Sequence, residues 1–206
     1  MRKLPTVFVR TFSPRHEIVS CGPHVTPGCE WVVAGEGRAT IKWDGEAYRV
    51  LGGKLWRRYD ANVRKGRTPP PGAEPCEQAA DPVTGHWPHW LLVTLDDPAL
   101  ALARESYAFE VAAFGGPPPD GTYELVGPKV QGNPHGFGSN EFRRHGAALV
   151  DVPDRSLDGI RAWLAAHADC EGLVFHHDDG RMAKIKRSDF GMAWPPISPH
   201  QDRRVR

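Results

Sequence analysis

The sequence predicts an α+β fold built on antiparallel sheets, and three observations carry that reading. Short runs of alternating apolar and polar residues recur along the chain, and that alternation is the period of a half-buried strand. Only two stretches combine helical length with a start signal. Neighbouring strand runs are joined by short turns.

In chain order the strand candidates are 39–43, 46–51, 54–59, 90–95, 121–126, 147–152, 172–176 and 182–187. Asp44-Gly45, between the first two, reads as a hairpin turn, because these residues tolerate the positive φ of a type I′ turn. One helix begins in "DDPALALARESYAFEV", with Asp97 as cap and Pro98 at the first helical position. The other is "SLDGIRAWLAAHA", capped by Ser156. Proline (20) and glycine (22) cluster in "RTPPPGAEP", "GGPPPDG" and "WPPISP", which read as loops because proline removes a backbone donor and glycine opens turn conformations. No segment is long and polar enough to be a free linker, so residues 1–206 read as one domain ending in a frayed basic tail from about 198.

Charge is balanced, 26 Lys and Arg against 25 Asp and Glu, so any contact with nucleic acid has to come from a local basic face. Cys21, Cys29, Cys76 and Cys170 are too scattered for a zinc knuckle or a CxxC redox pair and read as free thiols. The N-terminus "MRKLPTVFVRTF" has no apolar core of a signal peptide, and no apolar run reaches the ~20 residues that span a bilayer. A cytoplasmic protein without membrane partners is the expectation.

Several residues could carry chemistry. Lys42, at the end of "ATIK", is a possible nucleophile, but an amine with an ordinary pKa of about 10.4 attacks only if its site depresses that value. Burial and nearby positive charge do so. Lys184 and Lys186 in "MAKIKRSDF" lie two apart and share a strand face, which suits an anion such as a phosphate chain. A solvated edge strand kept from aggregating by its lysines is the plainer alternative. Glu124 in "YELVG" and Glu171 before "GLVF" are carboxylates placed for a metal ion or a sugar hydroxyl, or simply surface acids. Arg57 and Arg58 in "KLWRRYD" suit bidentate phosphate recognition. The histidines of "HWPHW" and His176-His177 match no zinc spacing.

The order of these motifs is more telling than any one of them. Lys42-x-Asp44-Gly45, Arg58, Glu124 in "YELVGPK", Glu171 in "EGLVF", and Lys184 and Lys186 in "AKIK" resemble the successive motifs of the covalent nucleotidyltransferases. Within that superfamily, the wording of residues 30–192 is most similar to the small ATP-dependent RNA ligases. The resemblance implies a ligase adenylation fold, with two antiparallel sheets flanked by helices and no OB-fold domain, since only about twenty residues follow Lys186. It implies that Lys42 takes AMP from ATP as a lysyl-AMP adduct. The AMP then passes to the 5′-phosphate of an RNA, and a 3′-hydroxyl displaces it to seal the strand. Glu124 would contact the ribose, Glu171 the divalent metal (Mg2+ or Mn2+), Lys184 and Lys186 the α-phosphate, and Arg58 a phosphate. Asp44, with Gly45 in the same motif, would position metal or leaving group. Phe142 and His145 are candidates for stacking on adenine, and the 60–90 segment for a lid. The alternatives are a nucleotidyltransferase with another acceptor and a non-catalytic RNA-binding module.

Overall fold

The computed structural model describes residues 3–13 and 18–195, without the side chains of Ile18 and Val19. The basic tail expected from about residue 198 lies outside the described residues. Among the described residues twelve strands and three α-helices follow one another in this order: β1 (Phe8–Phe12), β2 (Ile18–Val25), α1 (Glu30–Val33), β3 (Arg38–Lys42), β4 (Glu46–Leu51), β5 (Lys54–Asn62), β6 (Glu74–Pro75), β7 (His86–Leu92), α2 (Ala101–Phe114), β8 (Gly121–Val126), β9 (Glu141–Arg144), β10 (Leu149–Val150), α3 (Leu157–Ala166), β11 (Gly172–His176) and β12 (Met182–Lys186). Pairing within the three sheets is antiparallel throughout. Among the described residues no helix is long and apolar enough to cross a membrane.

The domain read from the sequence divides into two compact units. Among the described residues, one holds Lys3 and residues 45–145, the other residues 4–13, 18–44 and 146–195. The chain leaves the second unit at Asp44, completes the first, and returns after His145.

The first unit is a six-stranded sheet in the order β6-β7-β5-β4-β8-β9. Tyr48, Val50, Leu55, Tyr123, Leu125 and Phe142 bury its apolar face together with Ala103 of α2. Asp97 caps the turn leading into α2, accepting from the N–H of Ala99 at 3.0 Å, with Pro98 next to it. Tyr107 of α2 ties the helix to the β4–β5 connection by donating to the carbonyl of Gly53 at 2.8 Å. That connection is the real two-residue hairpin: Leu51 pairs with Lys54 across Gly52 and Gly53, both with positive φ. The segment proposed as a lid is tied into the sheet, since Asn62 and Arg67 exchange backbone hydrogen bonds and β6 pairs with β7.

The second unit has a four-stranded sheet, β10-β3-β11-β12, and the β1-β2 pair. Ile41, Leu173 and Ile185 lie opposite one another on β3, β11 and β12, as do Ala39, Phe175 and Ala183. These form the apolar face, joined in one core by Ile160 and Leu164 of α3. Ser156 caps α3 by accepting from the N–H of Gly159 at 3.1 Å. At its other end the buried Arg187 donates to the carbonyls of Leu164 (2.5 Å) and His167 (3.3 Å), groups that a helix leaves without internal partners.

The Asp44-Gly45 hairpin is a correction. β3 and β4 do not pair: β3 lies between β10 and β11, and β4 between β5 and β8. Asp44-Gly45 is where the chain passes from one sheet to another, and Gly45 is not at positive φ. Its lack of a side chain serves a close approach, because a Cβ there would lie 2.1 Å from the carbonyl oxygen of Leu125.

Candidate active site

The second unit gathers three of the sequence-singled lysines on one sheet face. Lys42 of β3 and Lys186 of β12 both stand opposite Gly172 of β11, and opposed residues of an antiparallel sheet share a face. Thr40, Val174 and Lys184 form the next rank on that face. Its reverse is the apolar core, so strand alternation alone sends the amines one way and Ile41, Leu173 and Ile185 the other. Gly172 is glycine because β11 and β12 approach closely there: a Cβ would lie 2.2 Å from the carbonyl oxygen of Ile185.

Glu171 directly precedes β11, at the end of the sheet where β3 and β12 finish in Lys42 and Lys186. It is 5% exposed, and each carboxylate oxygen accepts from a different amine: Oε2 from Lys42 Nζ, and Oε1 from Lys186 Nζ at 2.5 Å. Burial alone would push its carboxyl pKa up, but Lys42 and Lys186 outweigh burial and bring it below the usual value. Lys42 Nζ also donates to the carbonyl of Trp43 at 3.2 Å.

Lys184 is an amine with a depressed pKa. Burial, reinforced by the positive charges of Lys42, Lys186 and Arg10, pushes its pKa down to about 8, with Glu171 acting the other way. The edge-strand alternative fails for this lysine. The outer edge of β12 is covered by residues 5–7, with Val7 N–H donating to the Lys184 carbonyl and Lys184 N–H to that of Pro5, each at 2.9 Å.

Beyond β12 stands Asp189, fully buried, which sequence reasoning missed. Its Oδ2 accepts from the Lys186 N–H at 2.8 Å and its Oδ1 from Arg10 Nε at 2.8 Å. Asp44 accepts from Trp194 Nε1 at 2.8 Å. The only sign of Asp189 in the sequence is an acid three residues after Lys186, and Arg10 is separated from it by most of the chain.

The first unit carries the other two predicted residues on a common face. Glu124 stands opposite Ala47 on one side and Arg143 on the other. Arg58 is opposite Trp90 and, counting in twos from the Arg49–Trp56 pair, shares that face. The small side chain of Ala47 therefore separates the carboxylate from the arginine. Glu124 is fixed at both oxygens: Oε1 accepts from the Gly45 N–H at 3.1 Å, and Oε2 pairs with His145 Nε2 at 2.9 Å. Arg58 is paired with Asp60 at 3.0 Å. Arg57 points to the core side, where Tyr48 lies opposite.

Phe142 offers no open ring for adenine. It is buried, with edge contacts to Tyr48, Tyr107 and Tyr123. The histidines serve as hydrogen-bond partners: His89 with the Trp87 carbonyl, His176 with Thr40, His177 with Glu36. Cys21, Cys29 and Cys170 are buried free thiols, and burial is the main cause raising the pKa of each.

Two amines bonded to one shielded carboxylate, with a third on the same face, make an arrangement whose charge and donors are of the kind that can hold a phosphate group. Residues 119–205 match the family model of RNA ligase 1. The chain is similar to RNA ligase 1 of Rattus norvegicus (33% identical over 82 residues) and of Danio rerio (35% over 82 residues). In each case the match covers 36% of this chain and 25% of the relative's length. Through this segment the chain is similar to RNA ligase 1, in line with the resemblance that its motifs carry. The segment contains Glu124, Glu171, Lys184 and Lys186, whereas Lys42, Asp44 and Arg58 precede it.

Proposed function

We propose that the chain is the adenylation domain of an ATP-dependent RNA ligase, with a nucleotidyltransferase fold and Lys42 as nucleophile. The observation that carries this reading is the Glu171 carboxylate shared between Lys42 and Lys186, on the face that also bears Lys184. A solvated lysine has no need of a buried carboxylate, and a site that only attracts polyanions gains nothing from one.

In the first step the Lys42 amine, having given up a proton to solvent, attacks the α-phosphorus of ATP. A P–N bond forms, the bond to the pyrophosphate oxygen breaks, and pyrophosphate leaves. Lys184 and Lys186 neutralise the charge that builds on the α-phosphate oxygens, the main source of acceleration in phosphoryl-type transfer. The entering phosphates compete with Glu171 for Lys186, which loosens the carboxylate's hold. The motif resemblance implies that Glu124, fixed by Gly45 and His145, would take a ribose hydroxyl and Arg58 a phosphate. The 5′-phosphate oxygen of an RNA then displaces Lys42 from the adenylate phosphorus, and a 3′-hydroxyl expels AMP to close the phosphodiester.

Among the described residues no three His, Cys, Asp or Glu side chains cluster as metal ligands. The donor set suits an ion such as Mg2+, which keeps waters and phosphate oxygens and takes one or two carboxylates. Glu171 and Asp44 would supply those carboxylates, and the ion would neutralise triphosphate charge. Chelation of divalent ions should abolish adenylylation.

Incubation with α-labelled ATP and Mg2+ tests the reading. Label should appear on the protein, survive alkali and be lost in acid, as a phosphoramidate is, and be absent from Lys42→Ala. Label that persists in Lys42→Ala would end the assignment. With the adduct in hand, a 5′-phosphorylated, 3′-hydroxyl RNA should be joined or circularised; joining of DNA in its place would reverse the choice of substrate.

A further inference from the structure

The N-terminal strand brings a fourth cation to the lysine face. Arg10 stands in β1, beyond a register irregularity that separates it from Phe8, a kind of strand defect that re-aims a side chain. Its Nε donates to Asp189 Oδ1 at 2.8 Å, and Asp189 Oδ2 accepts from the backbone N–H of Lys186 at 2.8 Å. The arginine is thus one carboxylate away from the strand that carries Lys184 and Lys186. A wholly buried aspartate with both oxygens engaged is a rigid anchor for a guanidinium.

The rest of the fork is unspoken for. Nη2 is buried without a hydrogen-bond partner, and Nη1 has none among the described residues. The side chain as a whole keeps a fifth of its surface open. Buried donors are rarely left unmatched, because an unsatisfied one loses the water it gave up. A planar fork held at one nitrogen, with its other two nitrogens unpartnered, matches the oxygens of a phosphate. An arginine placed only to neutralise Asp189 would not need this arrangement. Its positive charge is felt at Lys184, which places it in the same electrostatic neighbourhood as the other amines.

We propose that Arg10 is a further phosphate-binding residue of the lysine face, anchored by Asp189 and offering its Nη atoms to phosphate oxygens. This rests on the ligase reading for the identity of the substrate, and not for the chemistry of the site. Two phosphates fit that chemistry, those of the nucleotide and the 5′-phosphate of the RNA.

Calorimetric titration with pyrophosphate tests the site without any reaction. Arg10→Gln should weaken pyrophosphate binding at least tenfold and Arg10→Lys should restore part of it, with the folded state of both verified by circular dichroism. Wild-type affinity in both variants, or no pyrophosphate binding by the wild type, would overturn the proposal. A crystal soaked with tungstate needs no variant: the anion should lie within hydrogen-bond reach of an Arg10 Nη atom, and an anion held by lysines remote from Arg10 would count against it. Two assays assign the source. Loss of lysyl-adenylate formation in Arg10→Gln points to the nucleotide phosphates, whereas loss confined to adenylate transfer onto a 5′-phosphorylated RNA points to the RNA. A wild type that binds pyrophosphate through Arg10 yet forms no lysyl-adenylate would leave the anion site standing and remove the ligase reading.

Discussion

At the scale of residues, Glu171 and Lys184 show how the same amines act in opposite senses. The two lysines beside Glu171 hold its charge in place, so its contribution to stability is complete above the ordinary carboxylate value and is lost as the pH falls through its lowered pKa. Removing it leaves Lys42 and Lys186 without their shared partner. Glu171→Ala should therefore cost roughly 3 kcal/mol in denaturant unfolding at pH 7, as well as suppress adenylylation. Lys184 is the reverse case. Its pKa, lowered from 10.5 to about 8, means that the charged form is penalised in the fold. That penalty is fully present below pH 8 and fades between 8 and 10.5. Lys184→Met should then raise stability at pH 7 by up to ~3 kcal/mol while weakening phosphate binding, a trade expected of a charge kept for function. The pH dependence has the same origin. Pyrophosphate affinity of the wild type should decline as the pH rises through 8, and Lys184→Arg should flatten that decline; a wild type whose affinity is constant from pH 7 to 9 would refute the role given to Lys184.

At the scale of elements, local pattern and long-range pairing part company. The strands at 46–51, 121–126 and 172–176, most of those read at 54–59 and 182–187, which run 54–62 and 182–186, and both long helices were legible, because alternation, Asp97, Pro98 and Ser156 act within a few residues. The partner of each strand was not. Asp44-Gly45 has the composition of a hairpin, yet β3 finds β10 and β11 far along the chain, a choice made by apolar matching between Ile41, Leu173 and Ile185 that no local signal carries. β1 and β2 escaped notice as well, and with them Arg10. The same register that hides from local reading makes a sharp prediction at Gly172, where β11 passes between the two lysine-bearing strands. Gly172→Ala puts a methyl group 2.2 Å from the Ile185 carbonyl oxygen, a backbone contact that cannot yield without parting β11 from β12. The variant should lose several kcal/mol of stability, on the order of an overpacked core or more, and should lose pyrophosphate binding with it. Near-normal values for both would contradict the account of this face.

For the whole molecule, the chain order is the informative feature. The unit bearing the lysine face is made of two separated stretches, and one core joins Val7, Phe8 and Val32 to Ile160, Leu164, Leu173 and Ile185. Composition shows no break at Asp44 or His145, so this division could not be read from linkers. It predicts that a chain ending at residue 145, deprived of α3, β11 and β12, cannot protect residues 4–44. Limited proteolysis should cut there readily, in contrast to the full chain. The segment matched to RNA ligase 1 begins only at residue 119, so the nucleophile itself rests on the geometry around Glu171. The most direct test is intact-mass and peptide-mapping mass spectrometry after incubation with ATP and Mg2+. The account predicts one added adenylyl group, carried by Lys42 and released by pyrophosphate; no adduct, or an adduct on a different residue, would contradict it.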